Sequence, residues 1–227
     1  MKNLPSIFNL KSKYYFILTI SLFIQSCNNE RVIQLPEIEN AKITEVLDVS
    51  PAYIFYDETQ PDSTLFNRKN LIGTTNWLVN VDKRLTLRQA IPHIQYLQDR
   101  RKKASMHKNE AAKNYFTCND TSINNLGFVE FTNVNYSDSS EISQDIKTCI
   151  MTVDSLKEIT FSSSADLNIV FSKENFSLVL PILKSEFGES IKLIMAFNES
   201  LSFQDYIKIK SNLASFQNSI SNNEFIY

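Results

Sequence analysis

Val81-Asp82-Lys83-Arg84-Leu85-Thr86-Leu87-Arg88-Gln89-Ala90-Ile91 is the stretch on which the reading of the fold turns. It is entered from Asn76–Val81 (NWLVNV), where Trp77, Val79 and Val81 alternate to one face with the period of a strand. Asp82-Lys83-Arg84 makes a polar turn. Thr86 then stands where a helix N-cap belongs, with Gln89 three residues on, so each side chain can accept from a backbone N–H left free at the helix start. Leu87, Ile91, Ile94 and Leu97 recur at helical spacing, and Pro92 predicts a kink or a ragged first turn. The segment runs out in Arg100-Arg101-Lys102-Lys103, cations placed against the negative end of the helix dipole.

The same succession returns in Phe197-Asn198-Glu199-Ser200-Leu201-Ser202-Phe203-Gln204-Asp205-Tyr206-Ile207. Strand, polar turn, hydroxyl cap and amphipathic helix follow in one order, with Phe203, Tyr206, Ile207, Leu213 and Phe216 on a broad apolar face. Two readings stay open: a duplicated unit, or the look of any strand–turn–helix. Between and around the two copies, 42–49 alternates as a strand, Ser50-Pro51 reads as a turn, 52–56 (AYIFY) as a second strand and 57–63 as a loop. Residues 104–125 carry no clear period. Strands are expected at 126–134, 146–153, 158–161, 167–171, 191–197 and 224–227, a helix at 177–187 stopped by Gly188, and a boundary loop at 135–144. This order predicts an α+β fold, a mixed sheet with amphipathic helices on one face, with 42–135 and 146–227 as two related small α/β lobes if the repeat is real.

From 160 to 227 the order of elements, carried by IKLIMAFNESLSFQDYIKIKSNL and then EFIY, resembles the periplasmic domain of the biopolymer-transport family typified by ExbD and TolR. The resemblance implies a small mixed sheet with helices packed on it, in an envelope protein working beside proton-driven motors. Asn198 replaces the aspartate usual in that family, and 14–24 contain no acid. It therefore implies a module related in fold and not a proton-channel subunit.

The N-terminus reads as an export signal. Lys2, Lys11 and Lys13 precede the apolar run YYFILTISLFI at 14–24, too short for the roughly 20 residues of a spanning helix. Ile24-Gln25-Ser26-Cys27 resembles a bacterial lipobox, which implies cleavage after residue 26 and a diacylglycerol on Cys27 that palmitate labelling would reveal. An ordinary signal peptide with an incidental cysteine is the other reading. Asn28, in place of the aspartate of proteins retained in the inner membrane, points to the outer membrane, facing the periplasm. Residues 27–41 then read as a polar tether.

Loss of Lys2, Lys11 and Lys13 leaves 20 basic against 25 acidic residues, a mildly acidic body unlike a nucleic-acid binder. With Cys27 lipidated, Cys118 and Cys149 remain, either as a disulfide contributing about 3–4 kcal/mol or as two separate buried thiols. Three glycines exclude a phosphate loop or dinucleotide fingerprint, and no catalytic motif, cofactor site or metal site is expected. His93 falls among the apolar positions of the first helix and reads as a packing residue. His107, with Cys118 or Glu110, is the one place for a nucleophile or metal ligand. Arg100, Arg101, Lys102 and Lys103 read either as a solvated helix end or as a patch for anionic headgroups or cell-wall carboxylates. The sum is a lipid-anchored envelope protein that acts by binding other envelope components, without inferred catalysis. The alternative is a periplasmic hydrolase or transferase using His107 and Cys118.

Overall fold

The computed structural model describes residues 31–103, 109–138, 148–156, 158–163, 168–171, 181–182, 185 and 192–227. Ile33–Tyr227 form one compact unit. Its fold is α+β, with two sheets in two lobes. The first lobe comprises β1 (Glu37–Ile38), β2 (Val49–Tyr56), β3 (Thr64–Asn67), β4 (Asn76–Val81), α1 (Leu87–Lys103), β5 (Asn114–Asp120) and β6 (Asn125–Glu130). Its strands lie in the order β1-β5-β4-β2-β3, with β6 added antiparallel to β5. The second lobe comprises β7 (Asn135–Asp138), β8 (Thr148–Ser155), β9 (Glu158–Ser163), β10 (Asn168–Phe171), β11 (Lys192–Phe197), α2 (Phe203–Leu213), a 3-10 turn (Ala214–Ser219) and β12 (Ile220–Ile226). Its strand order is β10-β9-β8-β11-β12-β7.

The two lobes share a nucleus. In each, an antiparallel hairpin (β2–β3, β8–β9) lays its first strand parallel to the strand that feeds the helix, and the strand after the helix returns parallel beside that one. The registers coincide. Val49↔Asn76 through Ile54↔Val81 in the first lobe correspond one for one to Thr148↔Lys192 through Val153↔Phe197 in the second. Even the turn bonds repeat: Asp82 N–H donates to Ile54 O and Asn198 N–H to Val153 O, each at 2.9 Å. The faint repeat in the sequence is thus a repeat of structure.

The copies meet at their helix starts, and there they are reciprocal. Leu87 N–H donates to Leu201 O (2.9 Å) while Phe203 N–H donates to Leu85 O (2.7 Å), and Thr86 and Ser202 bridge antiparallel. Arg88 N–H reaches Glu199 O (2.9 Å) and Gln204 N–H reaches Lys83 O (3.3 Å). Each pair interchanges when one copy is laid on the other, so a pseudo-twofold axis runs between the caps. The first N–H groups of a helix have no partner within it; here the opposite lobe's turn supplies them. The caps work as the sequence indicates: Thr86 N–H donates to Gln89 Oε1 (2.9 Å), Gln89 N–H to Thr86 Oγ1 (3.4 Å), and Asp205 N–H to Ser202 Oγ (3.1 Å). Helix α1 continues through Pro92 to Lys103.

One core spans both lobes. Phe116 of β5 stacks on Phe131 at 3.8 Å and meets Phe203 of α2 edge-on at 5.2 Å, and Phe197 of β11 meets Tyr206 at 5.1 Å. Val79, Val81, Leu87 and Ile94 from the first lobe and Met151, Val153, Phe197 and Ile207 from the second belong to the same buried cluster. The two edge-on pairs, Phe116–Phe203 and Phe197–Tyr206, each add about 0.5–1.5 kcal/mol beyond the area they bury.

Several expectations need correction. The stretch 27–41 is not all tether: β1 pairs parallel with β5, and Gly127 lets this segment lie close, since a Cβ there would sit 2.6 Å from Ala41 Cβ. Residues 42–48 form no strand beyond the single bridge Ile43↔Phe128; the strand is β2, which starts at Val49 and runs straight through Ser50-Pro51. The carbonyls of Asp48 and Ile54 face β4, so Pro51, out of phase with them, turns its missing N–H to the other edge, where pairing with β3 reaches only as far as Tyr53. The boundary loop at 135–144 begins instead with β7, parallel to β12. Strand β5, in the stretch without a readable period, is central to its sheet. Most of the helix expected at 177–187 lies outside the described residues.

Candidate functional site

Helix α1 ends over a cavity of about 490 Å³ lined by Gly73, Trp77, Tyr96, Asp99, Arg100, Arg101 and Lys103. Of the four cations in the run, Arg100, Lys102 and Lys103 are exposed, but Arg101 is buried, at 9 % exposure. The run is therefore not uniformly a solvated helix end: Arg101 lies seven residues after Ile94, on the stripe α1 turns inward. Its guanidinium lies 3.9 Å over the Trp77 ring, and Nη2 donates to Thr75 O (3.1 Å). Nε and Nη1 are buried with no acceptor among the described residues. Burial lowers the Arg101 pKa to about 10, which leaves it charged at neutral pH. Trp77 is held by its Nε1–H donating to Ile72 O (2.7 Å), and Ser50 and Thr75, joined by their hydroxyls at 2.7 Å, brace the strand ends beside it.

A larger groove, about 620 Å³, runs between 38–43, the stretch 128–134, the end of α2 and the start of β12. Lys42 Nζ donates across it to Ala214 O (2.7 Å). Lys210 reaches inward from this groove to pair with Glu224, whose side chain is fully buried. Glu224 Oε2 accepts from Tyr206 O–H (2.8 Å), and the Tyr206 and Tyr136 hydroxyls lie 3.0 Å apart. Burial, then the Glu224 charge, push both phenols well above their usual range, so they act as fixed neutral donors. The corresponding positions in the first lobe, matched through helix and strand register, are Ala90, Ile94 and Phe116, all apolar. The sequence reading missed this chain. Lys210 lies four residues beyond Tyr206 and seven beyond Phe203, spacing that would have put it on the inward face.

The other sequence candidates separate. Cys118 and Cys149 are free, buried thiols in different sheets, so the disulfide reading gives way to the alternative of two core residues. Burial, with Asp120 adding to it, drives the Cys118 thiol far above its ordinary pKa, and burial pushes Cys149 up to about 11. Cys27 and His107 lie outside the described residues. His93 packs on Phe66 with ring centres 4.8 Å apart, and burial lowers its pKa against the pull of Asp62. Asp82 is fully buried: burial would raise its pKa, but bonds from the Arg84 side chain and backbone and from Gln34 N–H together hold it low. Among the described residues no three His, Cys, Asp or Glu side chains converge as metal ligands, and no helix is long and apolar enough to cross a membrane. Comparison with family models, with curated proteins and with solved structures finds no match for the chain.

Proposed function

We propose that the protein is a lipid-anchored component of a bacterial envelope that works by binding, its two fused lobes presenting concave surfaces close to a membrane. The observation that carries the reading is Ile24-Gln25-Ser26-Cys27, which ends seven residues ahead of Gln34 along the sequence. Gln34 is already tied in, its N–H donating to Asp82 Oδ2 (3.2 Å) and its carbonyl accepting from Lys83 N–H (2.8 Å). Seven peptide steps from Cys27 to Gln34, at about 3.5 Å each, limit the tether to about 25 Å. The lipid itself, at about 0.8 kcal/mol per buried CH₂, supplies the anchoring.

The order β11, α2, β12 supports keeping a relationship in fold to the ExbD and TolR periplasmic domains within this proposal, and Asn28 supports the outer membrane as its location. The hydrolase or transferase reading is disfavoured by Cys118, since a nucleophilic cysteine needs an accessible thiolate and this thiol is buried with its pKa raised.

Cys27→Ser tests the anchor. The variant is expected to take up no radiolabelled palmitate and to leave the membrane fraction or stay unprocessed. Equal labelling of the variant and the parent would contradict it.

A further inference from the structure

We infer that the cavity under the end of α1 binds a phosphate group, with Arg101 as its inner donor and Arg100 and Lys103 as its rim. Three features converge there. Arg101 is nine-tenths buried, yet two of its N–H-bearing nitrogens have no acceptor among the described residues. Leaving buried donors unmade is costly, and an oxyanion that accepts from a guanidinium removes that cost through charge-assisted bonds. The lining carries three cations, Arg100, Arg101 and Lys103, against the single acid Asp99, an excess suited to a phosphate more than to a lone carboxylate. The guanidinium is also oriented in advance, stacked on Trp77 and tied to Thr75 O, so little rotamer freedom remains to be lost on binding.

The surroundings favour the phosphate of an anionic phospholipid over a soluble one. Leu47, Val49, Ile72 and Tyr96 are large apolar or aromatic side chains left exposed. They gather about this end of the first lobe: Asn76 Nδ2 donates to Leu47 O (2.8 Å), Ile72 N–H to Ser50 Oγ (3.0 Å), and Tyr96 lines the cavity itself. Arg68, stacked over Tyr96 at 4.6 Å, adds a further cation. Basic side chains beside exposed apolar ones suit the boundary between headgroups and acyl chains. The inference concerns this cavity alone and does not depend on lipidation of Cys27.

Trp77 is the only tryptophan, so its fluorescence reports directly on the site. The full-length chain in zwitterionic detergent is titrated with sodium phosphate at constant ionic strength and, separately, with mixed micelles containing phosphatidylglycerol or only phosphatidylcholine. A saturable Trp77 change with phosphatidylglycerol and not phosphatidylcholine is expected. A saturable change with phosphate alone also supports the site and identifies a soluble phosphate as its source. The double variant Arg100→Gln/Lys103→Gln, altered only at exposed positions, is expected to bind about thirtyfold more weakly. Arg101→Lys, which keeps the charge but loses the fork, is expected to weaken binding as well. No saturable response to either ligand, or a response unchanged in both variants, overturns the inference.

Discussion

Lys210→Met is expected to destabilise the protein by about 3–5 kcal/mol, the cost of leaving a buried charge without its partner. Glu224 has no exposed surface and the Lys210 side chain only 12 %, so water cannot replace the lost ammonium. Tyr206 O–H would remain as a donor to Glu224, which is why the loss stops short of that for a buried charge with no partner at all. The double variant Lys210→Met/Glu224→Leu removes both charges and leaves Tyr206 and Tyr136 bonded to each other, so it is expected to regain most of the stability. Equilibrium urea unfolding of the three proteins checks this. A single variant within about 1 kcal/mol of the parent, or a double variant worse than the single, would mean that the pair is not desolvated as described.

The second large effect is expected from Phe203→Ala. Removing a fully buried phenylalanine typically costs about 3–5 kcal/mol. Phe203 belongs to α2 of the second lobe, but it packs edge-on against Phe116 of the first. Trp77, in β4 of the first lobe, is therefore a probe in one lobe for damage done in the other. Its unfolding midpoint is expected to fall together with the far-ultraviolet circular dichroism of the whole chain. If Trp77 kept its original midpoint while the helical signal dropped, the lobes would be separate folding units.

How far the sequence could be read depended on where its local signals agreed with burial. The two strand–turn–helix stretches were legible because cap, period and turn all pointed one way: Thr86 with Gln89, and Ser202 ahead of Phe203, Tyr206 and Ile207. Strand β5 was hidden because Asn114, Thr117 and Asp120 are polar yet buried. Asp120 is satisfied only in the fold, where its carboxylate accepts from Ala41 N–H (2.6 Å) and from Ser122 N–H (2.9 Å). Strand β7 has the composition of a loop and becomes a strand through its pairing with β12. At the candidate site the cationic run was visible, but its inner member was not. Counting seven residues on from Ile94 places Arg101 on the buried stripe of α1, a signal obscured by three exposed cations around it. The Lys210–Glu224 pair was obscured further, because the register shift in β11–β12 between Leu193 and Met195 breaks the alternation that would have marked Glu224 as inward.

The joining of the lobes at their helix starts can be measured most directly by amide hydrogen exchange at Leu87 and Phe203. In an isolated helix the first N–H groups have no internal acceptor and exchange quickly. Here each donates across the pseudo-twofold axis, to Leu201 O and to Leu85 O, within one shared core. Both amides are expected to be protected to the level of global unfolding, and to lose that protection together in Phe203→Ala. Rapid exchange at either position in the native protein, or protection of one that survives loss of the other, would contradict a single interlocked body.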